Sequence, residues 1–131
     1  MAEELDAETI AFAHRVFDLA RDGGTDDLAG YLAQGLPANL TNDKGDTLLI
    51  LAAYHNHPAT VATLLQHGAD PARVNDRGQT ALAAAVFRQN AETVRILLDA
   101  GAKPTDGGPN ALETAEFFKL PEMTSLLRDA S

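Results

Sequence analysis

The sequence contains no cysteine and no tryptophan. Without Cys there is no disulfide framework, no thiol nucleophile and no Cys-ligated zinc. Aromatic residues make up 5% of the chain, so Ala and Leu must carry the interior, which suits thin helices packed closely together. Basic residues are also few, with 10 Lys and Arg against 19 Asp and Glu, for a formal charge of −9. A phosphate-binding surface needs clustered cations to displace counterions. The basic residues here are scattered, so neither nucleic acid nor an anionic membrane surface is an expected partner. No stretch approaches the ~18 apolar residues of a transmembrane helix. The segment Met1-Ala2-Glu3-Glu4-Leu5-Asp6 lacks the basic and apolar regions of a secretory signal, and a cytoplasmic location is expected. The 131 residues are one domain's worth of chain.

What the sequence does contain is an internal repeat. Asn42 to Pro71 reappears 33 residues later as Asn75 to Pro104, with 13 of the 30 aligned positions identical. They include Asn42/Asn75, Gly45/Gly78, Thr47/Thr80, Leu49/Leu82, Leu64/Leu97 and Gly68/Gly101. A fixed period of this size is the signature of a stacked repeat protein. A degenerate earlier copy lies upstream, where Gly35 matches Gly68, Leu28 matches Val61 and Val16 matches Leu49. A later copy begins at Asn110-Ala111-Leu112, after a connection about three residues shorter. Aligning Met123, Leu126 and Leu127 with Val94, Leu97 and Leu98 then requires one further residue to be missing between the helices. The expectation is an all-α solenoid of about four helix-turn-helix units, roughly 6–41, 42–74, 75–106 and 107–131. Both end units are atypical, because a terminal unit has a neighbour on one side only.

Each unit reads as helix, turn, helix and connecting loop. Thr47 and Thr80 are N-cap candidates, followed by apolar faces at Leu49, Ala52, Ala53 and at Leu82, Ala85, Val86. Pro58 and Pro121 suit the first position of a second helix, where a missing N–H costs nothing, and Asn90 suits a cap. Gly68 and Gly101 stand where the second helices end in the left-handed conformation. Gly45 and Gly78 fall in tight turns. From about Asp6 to Arg21 the spacing of Ile10, Ala13, Phe17 and Ala20 predicts one longer helix, read as an end cap with Glu8, Arg15, Asp18 and Asp22 facing solvent. The alternative is a docking helix for another protein.

These blocks resemble the ankyrin-repeat family over nearly everything from about His14 onward. The family's opening motif looks like Thr47-Leu48-Leu49-Ile50-Leu51-Ala52-Ala53 and Thr80-Ala81-Leu82-Ala83-Ala84-Ala85. Its closing motif looks like Leu64-Leu65-Gln66-His67-Gly68-Ala69-Asp70 and Leu97-Leu98-Asp99-Ala100-Gly101-Ala102-Lys103. The usual Pro after Thr is here Leu48 or Ala81, and the usual His two positions on is Ile50 or Ala83, which removes a Thr–His hydrogen bond. The resemblance implies two antiparallel helices per unit, with hairpin-like loops to one side. It also implies non-enzymatic protein–protein binding through the loop tips and the exposed side of the first helices.

Carried over position by position, the expected contacts are Asp43, Lys44 and Asp46 in one loop and Asp76, Arg77 and Gln79 in the next. At the first-helix ends they are Tyr54 and His55, then Phe87 and Arg88. A looser alignment brings Phe117 into line with Tyr54 and Phe87 as a ladder of rings on the inner face. Tyr, Phe and Arg are enriched at interface hot spots, although rings at helical spacing also serve as core. The mixed-sign loop tips suit solvated turns as well as contacts. One protein partner and a monomeric state are expected. The alternative is an assembly role, either stabilising a partner enzyme or self-associating.

No catalytic constellation stands out, and no cofactor or metal is expected. His55 and His57 sit two apart in a turn with His67 nearby, a spacing that sets no zinc geometry; His57 falls where the family has a structural turn His. Gly107-Gly108 lacks the Lys of a phosphate loop. Ser125 and Ser131 lack a nucleophile-elbow context.

Overall fold

The structure, a computed structural model, describes residues 7–129. Among these are eight α-helices: α1 (Ala7–Asp22), α2 (Thr25–Ala33), α3 (Leu48–Tyr54), α4 (Pro58–Gln66), α5 (Ala81–Phe87), α6 (Ala91–Asp99), α7 (Ala111–Phe117) and α8 (Pro121–Asp129). They pair in order, α1 with α2, α3 with α4, α5 with α6 and α7 with α8. The odd-numbered helices pack on one another in an inner row and the even-numbered ones in an outer row. None of the described helices is long and apolar enough to cross a membrane.

The short inner helices form because their first turns are capped. Ile50 N–H donates to Thr47 Oγ1 at 3.0 Å, and Ala83 N–H donates to Thr80 Oγ1 at 3.1 Å. Asn110 performs the same task for α7, as part of a full capping box with Glu113. After capping, nearly every residue of α3 and α5 from Leu48 to Ala53 and from Ala81 to Val86 is buried. Small side chains let the rows approach, so Ala52, Ala53 and Ala85 lose all their accessible surface. The outer helices start at Pro58 and Pro121 or under the Asn90 cap, whose Oδ1 accepts from Thr93 N–H at 3.0 Å. Their buried stripes are Val61 and Leu64 in α4, Val94 and Leu97 in α6.

Two expectations need correction. Three residues separate the helices of the last pair, as in the two pairs before it, so nothing is missing between α7 and α8. Met123 therefore takes the buried place of Thr93 and Leu127 that of Leu97, whereas Leu126 is only partly buried. In α1, the stripe that turns inward is Val16, Phe17 and Ala20; Ile10 is 42% exposed because α1 outruns the seven-residue α3 against which it packs. Glu8, Arg15, Asp18 and Asp22 are exposed. Met1 to Asp6, including the start of that expected helix, and Ser131 lie outside the described residues.

The loops after α2 and α4 are built by one repeated residue. Asn42 Oδ1 accepts from the N–H groups of Lys44 and Asp46; Asn75 Oδ1 accepts from those of Arg77 and Gln79. Successive loops then join, as Asp76 N–H donates to the Lys44 carbonyl at 3.0 Å and Gly108 N–H to the Gly78 carbonyl at 3.0 Å. Gly45 is required by this contact. Its φ is +77°, and a Cβ there would stand 3.0 Å from the Asp76 nitrogen.

Candidate functional site

Between the loops and the inner row lies a groove of about 760 Å³. Its floor is α3, α5 and α7, through Ile50, Leu51, Ala83, Ala84 and Thr114; one wall is made by the loops. The C-terminal ends of the three inner helices supply the other wall, and here the rings gather. Tyr54 and Phe87 stack with centroids 6.2 Å apart and planes within 6°. Phe118 meets Phe87 edge-on at 5.3 Å, and Phe117 meets Phe118 at 4.9 Å.

The rings are not core. Tyr54 is 41% exposed, Phe87 44%, Phe118 49% and Phe117 78%. Four of the six large exposed apolar side chains among the described residues thus lie on this one groove. Clustered apolar exposure of this kind marks interaction sites, whereas single exposed residues do not.

The ladder differs in one rung from the sequence expectation. Phe117 does occupy the position of Tyr54 and Phe87 at the end of its helix, yet Phe118 is the ring that reaches Phe87. The reason is a contact repeated along the row. The residues just past α5 and α7 each lean back over the ring at the end of the preceding inner helix. Arg88 does so on Tyr54, its guanidinium carbon 5.4 Å from the ring centroid, a cation–π distance. Phe118 does so on Phe87. Matching Phe118 with Arg88 in the repeat register was the signal available in the sequence.

His55 is half-buried on the same wall and edge-on to Tyr54 at 5.2 Å. Its pKa is pushed below the ordinary value, first by desolvation and then by the positive charges of Arg21, His57 and Arg88, against a smaller opposing effect of Asp22. His57 does a structural job. Its Nε2–H donates to the Arg21 carbonyl at 2.6 Å, tying the α3–α4 turn to the end of α1. Among the described residues no three His, Cys, Asp or Glu side chains gather as metal ligands do.

The expected loop contacts divide. Asp43, Lys44, Asp76 and Arg77 are exposed at the tips, and Arg77 also lines the groove. Asp46 departs from its expected place as a solvent-facing contact. It is only 9% exposed, with its Oδ1 accepting from Asn75 Nδ2 at 2.8 Å, because it ties one loop to the next. Gln79 is half-buried and accepts from the same Asn75 amide at 3.0 Å. Both still line the groove through their remaining surface.

Comparison with known proteins agrees with this architecture. A family profile described as ankyrin repeats (3 copies) matches residues 17–107, well over half of the chain. It ends before α7 and α8, which repeat the geometry of the preceding pairs. A protein of Pseudomonas aeruginosa named as an ankyrin repeat protein is 59% identical over 58 residues. That match covers 44% of this chain and 34% of the relative, so the chain spans about a third of that relative's length. The chain belongs to the ankyrin-repeat family, whose repeats are generally protein-interaction modules.

Proposed function

We propose that this protein is a non-enzymatic recognition domain that holds a segment of one protein partner in the groove formed by α3, α5, α7 and their loops. The observation that carries this reading is the cluster of half-exposed rings at the groove wall. Burying them is worth about 25 cal/mol per Å² of apolar surface removed from water, and the fold leaves that surface uncovered. Aromatic side chains with an arginine beside them are the composition of binding hot spots. Tyr54, Phe87, Arg88 and Phe117 are the anchors in this reading, with His55, Phe118, Arg77 and Gln79 around them. The exposed tips Asp43, Lys44 and Asp76 form a polar rim, and Asp46 acts by holding the loops in register. The protein acts as a monomer in the cytoplasm.

The test is affinity purification from the source cell with three baits: wild type, Phe117→Ala and Glu92→Ala. Glu92 is exposed on α6 in the outer row, away from the groove. The reading expects one protein retained by wild type and by Glu92→Ala and lost with Phe117→Ala. Loss with Glu92→Ala alone would place recognition on the outer helices.

A further inference from the structure

The groove is lined by one cation, Arg77, and two carboxylates, Asp46 and Glu113, and Arg88 stands beside it on the Tyr54 ring. Both carboxylates accept hydrogen bonds from within the protein. Asp46 is held by Asn75, and Glu113 Oε1 accepts from Asn110 N–H at 2.9 Å within the capping box. The cations are not used in the same way. Neither Arg77 nor Arg88 makes an ion pair among the described residues, whose ion pairs are Arg21–Asp18, Arg73–Asp70 and Arg128–Glu116. Arg88 is exposed and lies just outside the lining, laid on the Tyr54 ring that does line the groove, and no side-chain hydrogen bond among the described residues takes its N–H groups from a planar acceptor. His55 stands beside the same ring, with Arg21 and Arg88 near it and the Asp22 carboxylate opposing them. A cation near a helix C-terminus has a local use of its own, because it opposes the macrodipole. That use does not explain why the arginine is laid on the first of a row of exposed rings.

From this juxtaposition of unpaired arginine and uncovered rings we propose that the segment taken by the groove carries a carboxylate next to a large apolar side chain. The apolar group covers Phe87, Phe117 and Phe118, and the carboxylate accepts from Arg88. The inference rests on the groove as the binding site and adds the chemistry of the partner. A carboxylate supplied by Asp, by Glu or by a polypeptide's C-terminus fits equally, since Arg88 recognises the same planar pair of oxygens in each.

The test is selection from a displayed library of random short peptides. The full-length wild type is compared with Arg88→Glu and with a double variant, Phe117→Ala plus Phe118→Ala, each checked for native helicity. The wild type is expected to enrich peptides that pair an acidic residue with an aliphatic or aromatic one. Arg88→Glu should replace the acidic residue with Lys or Arg, and Arg88→Gln should weaken a selected acidic peptide by about tenfold. Apolar peptides with no acidic preference, or the same acidic peptides enriched on Arg88→Glu, would overturn the carboxylate while leaving the groove intact. Equal enrichment on the double-alanine variant, or none on the wild type, would overturn the groove reading and this inference with it.

Discussion

Replacing Phe87 and Phe117 by Ala, one at a time, separates the two roles that an exposed ring plays in this fold. Phe87 has lost a little over half of its surface to its neighbours and touches two rings, Tyr54 at 6.2 Å and Phe118 at 5.3 Å. Full burial of a Phe side chain is worth about 1.5–3 kcal/mol, so the share realised here is about 1–1.5. The two ring contacts, partly wet, add about 0.5 kcal/mol each. Phe87→Ala should therefore cost about 2–2.5 kcal/mol. Phe117 is 78% exposed with one ring neighbour, so Phe117→Ala should cost about 0.5 kcal/mol. Urea unfolding followed by circular dichroism reads both. With a slope of about 1–3 kcal/mol per molar, the Phe87→Ala midpoint should fall by roughly 1 M and that of Phe117→Ala should barely move. Equal midpoints for the two variants would refute the reasoning, because they would show that the ladder does not couple the helix pairs. The expected difference also makes Phe117 the cleaner probe of binding.

Three further outcomes follow from the same structure. Thr93 Oγ1 is buried with no hydrogen-bond partner among the described residues, while the matching Thr60 hydroxyl pairs with that of Thr25 at 2.7 Å. Thr93→Val should thus stabilise by about 1 kcal/mol and Thr60→Val should cost about as much, both read by thermal melting. Asn75→Ala removes four side-chain hydrogen bonds, one of which joins neighbouring loops, and should cost roughly 2–4 kcal/mol; Asn42→Ala removes two and should cost about 1, by chemical denaturation. His55 has a folded-state pKa below its ordinary value, so the unfolded state binds its proton more readily. Its contribution to stability is complete above about pH 6.5 and is lost as the pH falls from there through the lowered folded value. His55→Gln should flatten the melting temperature over that window, and an unchanged slope would show that neither burial nor the cationic neighbours lower the His55 pKa.

Much of this architecture was legible because the repeated residues are those with a fixed local task. Thr47 and Thr80 cap, Asn42 and Asn75 fold the loops, and Leu64 and Leu97 fill the space between rows; each task recurs at the same register, so identity recurs too. The end pair was harder to read. Met123, Leu126 and Leu127 match Val94, Leu97 and Leu98 in apolar character, yet the true register is set by the turn. In each of the last three turns the middle residue has positive φ, at Asn56, Gln89 and Lys119, and no shared residue type announces it. The same limit hid Phe118. Ring exposure and the backward lean of Arg88 and Phe118 depend on how one pair is set against the next, which periodicity within a pair does not encode. Asp46 looks like any acidic loop residue until Asn75, 29 positions on, is folded against it.

The most direct measurement of the central claim is site-specific photocrosslinking in the source cell. A benzophenone-bearing phenylalanine analogue is placed at position 117 in the groove or at position 92 on the outer row. The account predicts a covalent adduct with a single protein from position 117, competed away by unlabelled wild-type protein, and none from position 92. Adducts from position 92 only, or indiscriminately from both faces, would contradict it.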